Sequence, residues 1–200
     1  NILALRGDGI EGREPSCDFK HASELVEFIK QFDSKTGGTQ FKVFGACYPE
    51  QHPESEDVMS DIQGLKAKVD AGATHLISQL FFDNEKFYRF LERAKLAGIT
   101  VPIEAGIMPA TNKKSIERMV SLTNATLPPK FINMMERYGD SPEAIRDAGI
   151  AYAVDQIVDL VTNGVDGIHL YTMNNSYIAK RINEAVRSLF TVAPKDFVIK

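Results

Sequence analysis

The chain has 200 residues, 44% hydrophobic and 25% charged, a composition typical of a globular domain and not of a disordered or fibrous segment. Its formal net charge is -4 at pH 7 and its lysines and arginines are scattered, which argues against nucleic acid or an anionic membrane as a partner. The two cysteines, Cys17 and Cys47, are too few for a disulfide framework and lack metal-ligand spacing. No apolar run reaches the roughly 18 residues of a membrane-spanning helix. We therefore expect a cytoplasmic protein with a small-molecule partner.

Five short apolar segments rich in β-branched and aromatic residues predict buried strands. They cover residues 2–5, 41–47, 75–82, 101–107 and 167–173. Apolar residues at helical spacing lie between them and predict helices with one buried stripe each. The first three stripes are Leu25, Phe28, Ile29 and Phe32; Val58, Ile62, Leu65 and Val69; and Phe87, Phe90, Leu91 and Ala94.

Local signals place several helix ends. Asp83 is a predicted N-cap, Gly72 and Gly98 follow helix ends, and a helix opened by Ser141 closes before Gly164. The predicted buried face of this last helix is Ile150, Val154, Ile157, Val158 and Val161. The connection between the fourth and fifth strands is longer than one crossover needs, and it predicts two further helices near residues 115–122 and 129–138.

Alternating strands and helices predict an α/β fold with a parallel sheet. An open doubly wound sheet and a closed barrel both remain possible, but the Gly-rich fingerprint of the former is absent. We favour a (β/α)8 TIM barrel with roughly the last five βα units in this chain, because five strands do not close an eight-stranded barrel. Residues 1–200 are then one domain, and the sequence starts inside an apolar segment at Asn1 as if earlier strands were missing.

Catalytic residues of such barrels lie where strands end, so the polar residues there are candidates. Asp8 is equally well explained as a loop cap, and Arg6 as its ion-pair partner. Tyr48 could close the barrel mouth, and His52 is at a position more typical of a surface histidine. Gln79 near the end of a buried strand must find partners, either within the barrel or on a ligand.

Two charged residues, Asp61 and Lys68, lie seven residues apart on one predicted helix face. A solvated charged surface is a sufficient explanation for both. Cys47 is best explained as a small buried hydrophobic residue, and Met119, Met134 and Met135 as packing residues.

Taken in order, six segments resemble the methylenetetrahydrofolate reductase family. They are LALRGD at 3–8, YPEQHPE at 48–54, KAKVDAGA at 66–73, ISQLFFD at 77–83, PIEAGIMP at 102–109 and HLYTMN at 169–174. The resemblance implies an eight-stranded barrel holding FAD. It also implies hydride transfer from NADH or NADPH, through the flavin, to 5,10-methylenetetrahydrofolate in a ping-pong sequence, giving 5-methyltetrahydrofolate for methionine synthesis.

The same resemblance assigns roles to individual residues. Asp8 would be the catalytic residue beside the flavin ring and the folate, and Gln79 would contact the folate or nicotinamide. The implied cofactor-binding residues are Arg6, Gly7, Asp8, His21, Ala22, Ala46, Tyr48, His52, Asp61 and Lys68. Relatives include homo-oligomers, so we expect self-association.

Some positions depart from the family pattern. Asn175 stands where family members commonly carry an arginine, so the sequence offers no charged substrate contact at this position. His21 stands where family members often carry a tyrosine. The resemblance also implies a glutamate that acts as general acid, and in the family this residue belongs to the first three strands, outside this chain. Two other hypotheses are a flavin-free barrel lyase or aldolase acting on an anionic substrate and a non-catalytic barrel fragment with exposed strand edges.

Overall fold

The computed structural model describes residues 1–7, 18–37, 40–123 and 125–192. The strands are β1 (Ile2–Ala4), β2 (Val43–Cys47), β3 (His75–Ser78), β4 (Ile103–Ile107) and β5 (Gly167–Leu170). The α-helices are α1 (Ala22–Thr36), α2 (Val58–Asp70), α3 (Asn84–Leu96), α4 (Lys113–Thr123), α5 (Pro129–Tyr138), α6 (Pro142–Thr162) and α7 (Ser176–Val186), followed by a 3-10 turn at Leu189–Thr191. All five predicted strands and both helices predicted in the long connection are confirmed.

The strands form one parallel sheet in the order β1-β2-β3-β4-β5. Phe44 pairs with His75, and Cys47 with Ser78, in the parallel register of β2 and β3. Sequential parallel βα units are consistent with part of a TIM barrel. The α/β class predicted from the sequence is therefore confirmed.

β3 is shorter than the apolar run that predicted it, ending at Ser78 instead of residue 82. The reason lies in the backbone partners of the remaining residues. The Phe82 carbonyl accepts a hydrogen bond from the Tyr152 hydroxyl (2.6 Å), and the Phe81 carbonyl accepts one from the Gln156 amide (3.3 Å). Side chains of α6 thus donate the hydrogen bonds to these two carbonyl groups that a neighbouring strand would otherwise donate. Both phenylalanine rings stay buried.

The chain divides into two compact units. Unit 1 comprises residues 1–79 and 88–104, and unit 2 comprises residues 80–87 and 105–200. The core of unit 1 includes Ala4, Val26, Ile29, Val43 and Ala73. The core of unit 2 includes Leu80, Phe82, Met108, Ala110, Ile116, Ala125, Phe131, Met135 and Ile145, with Met119 and Met134 packed against it, as their helical spacing predicted. The single domain expected over residues 1–200 stays a prediction.

The buried face of α1 differs from the predicted stripe. Phe28 and Phe32 are 55% and 52% exposed, whereas Val26, Ile29 and Asp33 are buried. The Asp33 carboxylate accepts a hydrogen bond from the Phe41 backbone N–H at 2.9 Å, so a polar contact fixes which side of the helix faces inward. The spacing of apolar residues cannot predict that a carboxylate is buried, because its burial depends on a hydrogen-bond partner elsewhere in the chain.

The buried face of α6 was also predicted only in part. Ile150 and Ile157 are buried as expected, but Val158 is 41% exposed. Gln156 takes part in the buried face, because its amide also donates to the Asn84 side chain at 3.1 Å. The other buried residues of this face are Ile145, Gly149, Ala153 and Leu160.

The predicted helix ends are confirmed. The Asp83 carboxylate accepts the Glu85 N–H at 3.1 Å, and Ser141 is the N-cap of α6. The glycines at the helix ends, Gly72, Gly98 and Gly164, have the positive φ that such positions favour. None of the described helices is long and apolar enough to cross a bilayer.

Candidate functional site

The loop after β1 is tied to the loop after β2 by an ion pair. Arg6 Nη2 lies 2.7 Å from Glu54 Oε1, and Arg6 Nε donates to the Gly7 carbonyl at 3.2 Å. Gly7 has a φ of +85°, a conformation that favours glycine. Asp8, the predicted catalytic residue, lies outside the described residues.

Glu54 is the centre of a charged cluster in unit 1. The hydrogen bond from Arg6 is the main cause that lowers the pKa of Glu54, and the charges of Arg6, His52 and His21 act in the same direction. Arg6 and His21, from the connection between β1 and α1, and His52, from the loop after β2, therefore all act on one carboxylate. Glu54 itself was not among the predicted site residues, although it closes the YPEQHPE segment.

His21 and Ala22 stand at the start of α1. The backbone N–H groups of Lys20 and His21 donate to Glu24 Oε2 at 2.6 and 3.3 Å, which satisfies donors that a helix start leaves free. The His21 side chain is exposed and Ala22 is half-buried. Both residues are accessible to a ligand.

The β2 loop holds His52 in a defined orientation. Its ring makes an edge contact with Tyr48 at a centroid distance of 4.4 Å, and its Nδ1 accepts the Glu54 backbone N–H at 3.0 Å. Because a backbone N–H can only donate, the neutral imidazole carries its hydrogen on Nε2. His52 is half-buried, so this loop presents a fixed hydrogen-bond donor, whereas the sequence favoured a surface histidine.

Asp61 lies in the first turn of α2 and holds the same loop. Its two carboxylate oxygens accept the His52 backbone N–H at 3.1 Å and the Ser55 hydroxyl at 3.3 Å. Each oxygen has a second lone pair, so Asp61 can still accept a hydrogen bond from a ligand. The solvated charged face, offered as an alternative for Asp61 and Lys68, does not describe these half-buried side chains.

Lys68, near the end of α2, directs its ammonium to the end of β2. Its Nζ donates to the Ala46 carbonyl at 2.6 Å. The aliphatic stem passes over Gly45, where an added Cβ would lie 3.6 Å from Lys68 Cδ. Burial lowers the pKa of Lys68, and the nearby Cys47 and Asp61 oppose that shift. Among the described residues, no carboxylate forms a salt bridge with this ammonium.

Cys47 behaves as the buried small hydrophobic residue that was expected. Its side chain is 1% exposed. Burial raises the pKa of the thiol, with Lys68 acting in the opposite direction. A buried neutral thiol is a poor nucleophile, so Cys47 is a packing residue.

Gln79 follows β3 directly and extends its pairing with β2. Its backbone N–H donates to the Cys47 carbonyl at 2.7 Å. Side chains alternate between the faces of a strand, and Ala46 pairs with Ile77, so Ala46, Tyr48 and Gln79 belong to one face of the sheet. All three are half-buried, while Cys47 and Ser78 on the opposite face are buried. The less enclosed face therefore carries three of the predicted ligand contacts.

Unit 2 contains a pocket that the sequence did not predict. It has a volume of about 250 Å³ and lies where the chain leaves β4 and β5. Its lining residues include Met108, Ile116, Met119, Tyr171 and the single charged residue Arg118. Near it, Met173 and Asn174 have φ values of +48° and +59°, which non-glycine residues rarely adopt outside functional or tightly constrained turns. The polar residues that follow β5, among them Thr172 and Asn175, were the one feature of the sequence that could have indicated this pocket.

Comparison with known proteins decides the family. The family model described as methylenetetrahydrofolate reductase matches residues 1–187. The chain belongs to the methylenetetrahydrofolate reductase family. The resemblance of the six sequence segments is thereby confirmed.

Similar members of the reductase family occur in bacteria and plants. The chain is 36% identical over 183 residues to the 5,10-methylenetetrahydrofolate reductase of Escherichia coli (strain K12), covering 91% of this chain and 59% of that protein. It is 35% identical over 183 residues to the enzyme of the same name from Pectobacterium carotovorum, with 91% and 58% coverage. For methylenetetrahydrofolate reductase (NADH) 1 of Arabidopsis thaliana the identity is 35% over 187 residues, covering 87% of this chain and 31% of that protein.

A solved structure supports the fold. An uncharacterized protein from Clostridium thermocellum, described as binding two copies of 5-methyl-5,6,7,8-tetrahydrofolic acid, matches with a TM-score of 0.53 and 18% sequence identity. The match covers 76% of this chain and 55% of that protein. The chain spans less than two thirds of the length of these bacterial relatives.

Proposed function

We propose that the protein containing this chain reduces 5,10-methylenetetrahydrofolate to 5-methyltetrahydrofolate, with NADH or NADPH as donor and FAD as cofactor. Membership of the methylenetetrahydrofolate reductase family supports this reaction. The complete enzyme would be an eight-stranded βα barrel, with the five βα units of this chain as one part. We further propose a cytoplasmic homo-oligomer acting in methionine synthesis.

The observation that carries the cofactor proposal is the half-buried ammonium of Lys68. Its one hydrogen-bond acceptor among the described residues is the neutral Ala46 carbonyl. An ammonium has three hydrogens, so two remain for an anionic ligand. A partly desolvated cation gains most from an anion, and the pyrophosphate of FAD is such a partner.

Other residues of unit 1 fit the rest of the cofactor. The Nε2–H of His52 and the guanidinium of Arg6 are donors, and Asp61 retains acceptor capacity for a ribose hydroxyl. Gly7 lets the backbone approach a flat ligand, since no atom lies within 4 Å of the position its Cβ would take. FAD, when bound, would supply the hydride chemistry that links the nicotinamide to the folate, with the two substrates alternating.

The remaining site residues are proposed to act on the substrates. Asp8 would hold its carboxylate beside the flavin ring and orient the pterin. Gln79 would form hydrogen bonds with the folate or the nicotinamide, because its side-chain amide can both donate and accept them. Tyr48, on the same sheet face, would provide an apolar surface with a polar tip.

The proposal is tested by the visible absorption spectrum of the purified protein, expressed with any sequence that flanks this chain in its gene. We expect the band of an oxidised flavin, and we expect NADH or NADPH to bleach it under anaerobic conditions. Adding methylenetetrahydrofolate should then restore the band. A colourless protein that fails to take up FAD would overturn the proposal and favour a flavin-free barrel lyase.

Gln79→Ala is expected to weaken folate binding by about tenfold while leaving the flavin content unchanged, since roughly 1.4 kcal/mol is the scale of one polar contact. The measurement compares the folate Kd with the FAD retained after gel filtration. Gln63→Ala is the control, because Gln63 is an exposed glutamine on α2. Loss of flavin with unchanged folate affinity would move Gln79 from the substrate to the cofactor or the scaffold.

A further inference from the structure

The β2 loop, residues 48–56, has a strained backbone at Gln51. The φ of Gln51 is +90°, in the left-handed region that residues other than glycine rarely adopt. Such a conformation persists only where surrounding contacts hold it, and it is common at ligand-binding sites. The loop also carries Tyr48 and His52, two of the residues proposed to bind FAD. The contacts that hold this loop therefore set the geometry of the proposed cofactor site.

Two sets of contacts hold the second half of the loop. Within it, the Gln51 side-chain amide donates to the Ser55 carbonyl at 2.7 Å. From α2, the Asp61 carboxylate accepts hydrogen bonds from the His52 N–H and the Ser55 hydroxyl. The first half of the loop needs an anchor of its own, because none of these contacts reaches Pro49.

Arg93 of α3 provides that anchor. Its Nη2 donates to the Pro49 carbonyl at 3.3 Å, across 44 residues of sequence. Pro49 is buried, so its carbonyl requires a partner inside the protein. Proline has no N–H, which leaves the carbonyl as the one backbone group through which this residue can be held. The residue that follows Tyr48 is thereby fixed to α3.

The guanidinium of Arg93 is poorly satisfied by the protein. Its Nε is buried and has no hydrogen-bond partner among the described residues, and none of their carboxylates forms a salt bridge with it. A half-buried charge that serves one carbonyl costs stability through desolvation. A charged donor also forms a stronger bond than a neutral one, which suits a contact that must hold a strained turn. Arg93 is thus better explained by the loop than by the stability of α3.

We propose that Arg93 is a positioning residue for the cofactor site, which holds the β2 loop in the conformation that presents Tyr48 and His52 to FAD. This inference rests on the proposed function. Arg93 acts through the loop and does not itself contact the cofactor. The ring centroids of Tyr48 and His52 are 4.4 Å apart, so a shift of the first residue moves the second. A loop fixed before binding loses less conformational entropy when FAD binds.

Flavin fluorescence titration of the apoprotein, expressed with any sequence that flanks the chain in its gene, tests the role of Arg93. We expect Arg93→Met to weaken FAD binding by about tenfold, the scale of one hydrogen bond to a charged group. Arg93→Lys should lose only about threefold, because its ammonium can still donate to the Pro49 carbonyl. Arg89→Met is the matched control, since Arg89 is exposed one turn earlier on α3 and this variant should bind FAD as wild type does.

A double-mutant cycle separates positioning from general destabilisation. In a His52→Ala background, the loss caused by Arg93→Met should shrink to about threefold or less, because one of the groups that it positions is absent. In a Lys68→Met background the loss should stay about tenfold, because Lys68 is held at the end of β2 and not by the loop. If Arg93→Met does not fold, Arg93→Lys is taken through the same cycle, and its smaller loss should vanish in the His52→Ala background.

The outcomes for Arg93 and for the proposed function are distinct. FAD binding by Arg93→Met at the wild-type affinity, or an equal loss in both backgrounds, overturns the role of Arg93 and leaves the flavoenzyme proposal standing. Failure of wild type to bind FAD overturns both.

Discussion

Gly149→Ala is expected to lower the free energy of unfolding by about 3 kcal/mol, because the added Cβ would overlap backbone atoms of Ala110. Gly149 lies in α6, and an added Cβ would stand 1.9 Å from the Ala110 carbonyl oxygen and 2.5 Å from its carbon. Neither neighbour is a flexible side-chain end, so the helix or the chain after β4 must move. Urea denaturation followed by circular dichroism measures the change.

The control for this substitution is Gly64→Ala in α2. No atom lies within 4 Å of the position of that Cβ. Alanine favours the helix by about 0.5–1 kcal/mol over glycine, so this variant should be slightly more stable than wild type. Equal stability of Gly149→Ala and wild type would show that α6 does not approach Ala110 this closely.

Lys68→Met is expected to weaken FAD binding by about 30- to 150-fold, since roughly 2–3 kcal/mol is the scale of a hydrogen-bonded charge contact. Methionine keeps a flexible stem over Gly45 but removes the ammonium. The free energy of unfolding should change by no more than about 1 kcal/mol, because the lost bond to the Ala46 carbonyl is offset by removal of a desolvated charge. Flavin fluorescence titration of the apoprotein measures the affinity.

Lys66→Met is the matched control on the same helix. Lys66 pairs with Asp70 at the surface, four residues along α2. Such a pair contributes little, so this variant should retain both FAD affinity and stability. If Lys68→Met binds FAD as tightly as wild type, its ammonium is not a cofactor contact.

The strands and helix ends were predictable because they depend on local signals. Apolar runs located all five strands, and Asp83 and Ser141 capped the helices that their positions predicted. These features require only the residues beside them. Tertiary partners are not needed to recognise them.

Features that depend on distant partners were missed. Asp33 is buried because the Phe41 backbone satisfies it, and Glu54 gains its position from Arg6, 48 residues earlier in the chain. The pocket around Arg118 combines side chains from two segments more than 50 residues apart. Periodicity describes one element at a time, so it cannot locate contacts of this kind.

The hydrogen bond between Lys68 and the Ala46 carbonyl also bears on how tightly a cofactor can bind. A lysine in water samples many rotamers, and fixing them on binding costs part of the interaction energy. Here the protein itself fixes the ammonium at the end of β2 and leaves two hydrogens available. That entropy loss is incurred during folding. Under the proposed function, FAD would therefore meet a Lys68 side chain that is already ordered, and its affinity would reflect the contact itself instead of the ordering of that side chain.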